Sequence, residues 1–124
     1  MFDHVEYGVS NIEAAEIFYA SALAPLGWVQ FDSDLTAACF GPHGGPVRLL
    51  ISQCQENLTL QKLHVAFEAS THDAVNAFFA AAVTSGGTGN GEPGLRPHYS
   101  PNYYAAFVFD PDGNNVEAVC RATS

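Results

Sequence analysis

The chain has 124 residues, 48% hydrophobic and 14% charged, a globular composition of about one domain's worth that excludes a disordered chain. Thirteen acidic residues against four Lys and Arg leave a formal net charge of −9, which disfavours nucleic acid and anionic membrane surfaces as partners. The longest apolar run, residues 77–83, is far short of the ~20 residues a spanning helix needs.

Residues 2–9 alternate, with Val5, Tyr7 and Val9 on one face and His4, Glu6 and Gly8 on the other, which predicts a strand. Ser10-Asn11-Ile12-Glu13 has the form of a capping box with Ser10 as the cap. It opens a helix to about Leu23, which Pro25 and Gly27 end. Strands are predicted at 28–32, 36–40 and 47–52, with Asp34 and the Gly41-Pro42-His43-Gly44-Gly45 cluster in the turns. A second series follows: a strand at 63–69, a helix at 71–84 and a poorly defined strand in the Gly/Pro-rich stretch 86–101. Strands at 103–109 and 115–121 close it, around the turn Asp110-Pro111-Asp112-Gly113.

The two series are one unit repeated. Moved by about sixty residues, His4-Val5-Glu6-Tyr7-Gly8-Val9-Ser10 falls on His64-Val65-Ala66-Phe67-Glu68-Ala69-Ser70, and Phe18-Tyr19-Ala20 on Phe78-Phe79-Ala80. At a longer shift Ala37 falls on Ala106, Phe40 on Phe109, Pro42 on Pro111, Gly44 on Gly113 and Val47 on Val116. The longer shift places an insertion in 86–101. The expected fold class is therefore α+β, a single domain of two tandem βαβββ modules spanning about 1–55 and 60–124.

Alternation then sorts the chemistry. In each module the aliphatic face covers the helix: Val5, Tyr7 and Val9 with Val47, Leu49 and Ile51, then Val65, Phe67 and Ala69 with Val116, Ala118 and Cys120. The other face carries His4, Arg48, His64 and Glu117 at equivalent places. A one-residue slip would send Arg48 or Glu117 into the apolar layer, which is costly for a charge. Two imidazoles and a carboxylate on one cavity suit a divalent ion such as Fe, Mn, Zn or Ni, with positions left open for substrate.

Here the chain resembles the vicinal oxygen chelate superfamily of glyoxalases, bleomycin-resistance proteins and extradiol dioxygenases. The opening Asp3-His4-Val5 to Gly8-Val9-Ser10, Phe18-Tyr19, and the ending Tyr103-Tyr104-Ala105-Ala106-Phe107-Val108 with Asp110-Pro111-Asp112-Gly113-Asn114-Asn115-Val116-Glu117 carry the resemblance. It implies paired modules forming an incomplete barrel around a central cleft, a homodimer, and metal ligands at His4, His64 and Glu117. The fourth ligand place holds Arg48 rather than an acid or amide. Two readings follow. In one, His4, His64 and Glu117 hold the metal, as in the extradiol dioxygenases, and Arg48 steers an anionic substrate. In the other, Arg48 pairs with Glu117 and no metal binds.

Several further residues are candidates. A four-residue turn at 110–113 pairs Phe109 with Asn114 and puts Tyr104, Ala106 and Val108 on the cavity side. There Tyr104 is an acid or hydrogen-bond donor, or simply an aromatic wall. Glu6 and Glu68 face the same side, as a general base or in water at the mouth. Arg96 and His98 rim the opening from the long loop, as substrate contacts or solvated side chains. His43 and His72 are read as surface residues.

Cys39, Cys54 and Cys120 form an odd, scattered set with no CxxC, expected to be reduced thiols in a cytoplasmic protein. Residues 1–6 lack the basic and apolar regions of a secretory leader, so none is expected. The Gly-rich run 86–91 lacks the Lys-Ser/Thr of a phosphate loop. The resulting functional expectation is a metal-dependent, lyase- or dioxygenase-like enzyme whose ion chelates two neighbouring substrate oxygens. The alternative is a metal-free protein that sequesters a small molecule.

Overall fold

The computed structural model describes residues 2–54 and 62–124. The junction between the two series of elements, expected near 55–60, lies outside the described residues. The first series runs β1 (Val5–Val9), α1 (Ile12–Leu23), β2 (Trp28–Ser33), β3 (Ala37–Pro42) and β4 (Leu49–Gln53). The second runs β5 (His64–Glu68), α2 (His72–Thr84), β6 (Thr88–Leu95), β7 (Tyr104–Phe109) and β8 (Asn115–Cys120). Each makes an open four-stranded sheet, in the orders β1-β4-β3-β2 and β5-β8-β7-β6. The first and last strands of each series pair in parallel, and the other neighbours are antiparallel. The fold is the α+β tandem βαβββ arrangement that the repeat predicts. Among the described residues, no helix is long and apolar enough to cross a membrane.

The alternation explains which face is covered. Val9, Leu49 and Ile51 in the first sheet, and Phe67, Val116, Ala118 and Cys120 in the second, are buried against the helices. Each helix lies on its own sheet and the two helices pack on each other, so a helix layer separates the sheets. One continuous core results. Phe18 is fully buried and meets Tyr19 edge-on, ring centroids 4.9 Å apart. Burying such a ring contributes about 1.5–3 kcal/mol. At one end of the layer Trp28 meets Phe67 of the second series, 5.2 Å between centroids.

The start of α1 differs from expectation. Asn11, not Ser10, is the cap: its side-chain oxygen accepts from the Ala14 amide at 3.1 Å. Ser10 is engaged elsewhere, its amide and hydroxyl both donating to the Asp112 carboxylate. In α2 the equivalent cap is Thr71, which accepts from Ala74 at 3.0 Å.

The turn between β7 and β8 holds the two series together. Asp110 is buried and accepts from the amides of Asp112 and Asn114 and from the Asn114 side chain, at 2.8–2.9 Å. It also accepts from the Tyr19 hydroxyl of α1 at 2.6 Å, and Tyr19 in turn accepts from Tyr7 at 2.6 Å. Burial chiefly holds both phenols well above their ordinary pKa, and the Asp110 charge adds to the rise in each.

This loop also changes the register. Asn114 is drawn into it by Asp110, so Phe109 pairs with Asn115 rather than Asn114. The loop has five residues instead of four, and the parity of β7 is reversed. Tyr104 and Val108 therefore face the helix layer, and residues 103, 105 and 107 share the outer face with Glu117. Of the three thiols, Cys120 is buried while Cys39 and Cys54 are half-buried, and all are free. Burial, and then Asp32, Asp34 and Glu6 nearby, push the Cys39 thiol pKa up.

Candidate functional site

Glu117 is the most informative residue of the second sheet. Its place in β8 is forced by alternation between Val116 and Ala118, both buried against the helices. It points to the outer face, yet it is only 2% exposed. A buried carboxylate without donors costs several kcal/mol, and each Glu117 oxygen has one. His64 Nε2 donates to Oε1 at 2.8 Å. The Tyr103 hydroxyl donates to Oε2. Burial, followed by the Glu117 hydrogen bond and charge, pushes the Tyr103 phenol up to about 12. The Arg121 guanidinium lies over the Tyr103 ring at 4.9 Å and partly offsets that rise.

His64 and Glu117 thus come together as the repeat predicts. Arg48 does not join them: its guanidinium donates to the Asp3 carbonyl at 2.7 Å and lies 3.8 Å from the Asp3 carboxylate. The Arg48–Glu117 pair is therefore not formed, and Tyr103 with His64 does the work expected of it.

His4 also lies apart. Its Nδ1 donates to Asp3 at 2.8 Å, and that hydrogen bond chiefly holds the Asp3 carboxyl below its usual pKa. His4, Arg48 and Glu68 line a cleft of about 590 Å³ together with Trp28 and Phe67. His64 lines a different cleft, of about 520 Å³, with Arg96, Tyr99, Phe107, Asn90 and Asn115. Among the described residues, no three His, Cys, Asp or Glu side chains gather closely enough to hold one ion.

The remaining candidates divide. Tyr104 does not face this site: its hydroxyl donates to Asn76 of α2 at 2.7 Å, and its ring stacks on His72 at 3.9 Å. His72 is thereby half-buried rather than a free surface residue, and its Nε2 donates to the Ala122 carbonyl at 3.0 Å. Glu6 is exposed on β1, and His98 is exposed beside Tyr99. Arg96 is placed in the cleft beside His64.

Tyr103 is the residue that sequence reading missed. The signal was present in Asp110-Pro111-Asp112-Gly113-Asn114: an aspartate that caps amides two and four residues on makes a five-residue loop. Counting back from Glu117 across such a loop reaches Phe107, Ala105 and Tyr103.

The second sheet thus presents a buried carboxylate, an imidazole and a phenol on one face of a tandem βαβββ fold. A family model of the Glyoxalase/Bleomycin resistance protein/Dioxygenase superfamily matches residues 1–118, and the chain belongs to that superfamily. Among solved structures, it is similar to a glyoxalase/bleomycin resistance protein from Albidiferax ferrireducens T118. Identity is 28% over 97% of this chain and 98% of that one, with a TM-score of 0.84. A glyoxalase-related enzyme from Fulvimarina pelagi shares the fold at 19% identity, TM-score 0.74, covering 97% and 87% of the two chains. So does a lactoylglutathione lyase from Agrobacterium tumefaciens, at 18% identity and TM-score 0.67, covering 97% and 92%. No curated protein matches the chain.

Proposed function

We propose that this chain is a metal-dependent small-molecule enzyme, lyase- or dioxygenase-like, whose centre is shared between two copies. His64 and Glu117 of one copy and His4 of a second copy hold the ion. The observation that carries this reading is the His64–Glu117 couple: one imidazole nitrogen and one carboxylate oxygen 2.8 Å apart on neighbouring strands. The carboxylate is buried while the His64 side chain is 54% exposed. Nitrogen and oxygen donors of this kind suit Fe, Mn, Zn or Ni. They make two-thirds of a three-ligand set, and the sheet face that carries them is open. His4 is the repeat-equivalent of His64 and its side chain is half-exposed, so a second copy can supply it.

When bound, the ion supplies Lewis acidity toward two neighbouring substrate oxygens. The chain's own residues do the rest. Tyr103 holds Oε2 of Glu117, so Oε1, which faces His64, is the oxygen that would turn to the ion in place of its hydrogen bond with His64. The Tyr103 phenol is protonated at neutral pH and so donates its hydrogen bond there. Arg48 accompanies His4 and brings positive charge toward an anionic substrate.

A second reading has one specific observation in its favour. Both Glu117 oxygens already have protein donors, which is the condition for a metal-free protein that sequesters a small molecule. Elemental mass spectrometry, on protein purified without chelator or histidine tag, separates the two. Near-stoichiometric Fe, Mn, Zn or Ni, lost in His64→Ala, is the expected result. Metal-free protein that takes up no added divalent ion overturns the first reading and leaves the second.

A further inference from the structure

The cleft beside His64 contains an arginine held in an unusual way. Arg96 Nη1 donates to the Gly94 carbonyl and Nη2 to the Glu92 carbonyl, both at 2.8 Å. Its guanidinium carbon lies 5.4 Å from the centre of the Phe107 ring. The β6 backbone is shaped around it. A Cβ on Gly91 would come within 3.2 Å of Nη2 and 2.9 Å of Phe107, and a Cβ on Gly94 within 3.2 Å of Nη1. Side chains at either place would push the guanidinium away.

These partners position Arg96 without neutralising it. A guanidinium has five N–H donors, and the two carbonyls take two of them. Among the described residues, no carboxylate lies within ion-pair distance of Arg96. In a chain of thirteen acids and four Lys and Arg, a preorganised cation with no carboxylate partner next to His64 is a place where an anion from outside can dock. Tyr99 and Phe107 add aromatic surface to the same cleft, and Asn90 and Asn115 add amides.

We propose that this cleft binds a small aromatic carboxylate, its carboxylate on Arg96 and its ring against Phe107 and Tyr99. The fork of Arg96 matches a carboxylate or a phosphate. The monoanion is favoured because Glu117 and the acidic surface repel a dianion more strongly. The proposal deepens the reading of the His64 face as the substrate side and rests on it only for the reaction that follows; binding in the cleft itself requires no metal.

The test is NMR titration of chelator-treated, metal-free protein with benzoate, phenyl phosphate and benzylammonium, following the Arg96 Nε–H and the amides of Asn90, Gly91 and Asn115. Benzoate is expected to give saturable shifts at these groups, phenyl phosphate weaker ones and benzylammonium none. Arg96→Gln is expected to weaken benzoate at least tenfold. Should Arg96→Gln fail to fold, Arg96→Lys, which keeps the charge and loses the fork, is expected to weaken benzoate several-fold. The proposal is overturned by absence of saturable shifts, by unchanged benzoate affinity in Arg96→Gln or Arg96→Lys, or by phenyl phosphate binding more tightly than benzoate. None of these outcomes depends on metal content, so this proposal and the metal-centre reading fail separately.

Discussion

The Tyr103 hydroxyl donates to Oε2 of Glu117, a carboxylate that the fold has almost entirely removed from water. Tyr103→Phe leaves that oxygen buried without its donor. The expected loss is about 1–3 kcal/mol of folding stability, read as a lower urea midpoint at an unchanged slope. An unchanged midpoint would mean that the hydrogen bond contributes nothing.

The same contact predicts an alkaline limb. The folded Tyr103 pKa is raised to about 12 by burial and Glu117, above the unfolded value of about 10. Between these values the folded chain holds a proton that the unfolded chain has released. Its contribution to stability is therefore complete below pH ~10 and declines as pH rises toward ~12. Tyrosinate absorbance in Glu117→Gln should show one phenol ionising at lower pH than in the wild type. An unshifted titration curve would count against the Tyr103–Glu117 contact.

Tyr19 and Asp110 test how the two βαβββ series are joined. Tyr19→Phe removes the 2.6 Å donor from α1 to the β7–β8 turn while Asp110 keeps its other three. A loss of about 1–3 kcal/mol is expected, with one cooperative transition for both series. Two separated transitions in calorimetry would show that the junction had come apart.

How far the sequence predicts these features depends on what each requires. Alternation places Val116, Glu117 and Ala118 correctly, because a charge in the helix layer is too costly to tolerate. The repeat places His4 and His64 at equivalent positions, but equivalence is not proximity. The packing of α1 on α2 decides where the sheet faces point, and that is a tertiary outcome. Tyr104 and Tyr103 exchange roles because one residue, Asn114, is captured by Asp110. Ser10 loses its capping role because Asp112, distant in sequence, binds it. The β6 strand is hard to read because Thr88-Gly89-Asn90-Gly91-Glu92-Pro93-Gly94 has turn composition; β7 pairing and the Arg96 clamp give it its form.

Metal should also be visible in stability. An ion held at a hundred times its dissociation constant stabilises the folded state by about 2.7 kcal/mol. Chelator treatment should lower the melting temperature, and added ion should restore it. His64→Ala should abolish the response. Equal responses in wild type and variant would place the ion elsewhere.

If one centre draws His64 and Glu117 from one copy and His4 from another, chains defective in different ligands should complement each other. His4→Ala and His64→Ala chains are each prepared, then mixed under exchange conditions, and metal is counted by elemental mass spectrometry. Each variant alone should be metal-poor. The mixture should regain about a quarter of the wild-type content, because half the dimers then contain one intact centre of two. A mixture as metal-poor as its components would contradict a centre built between copies.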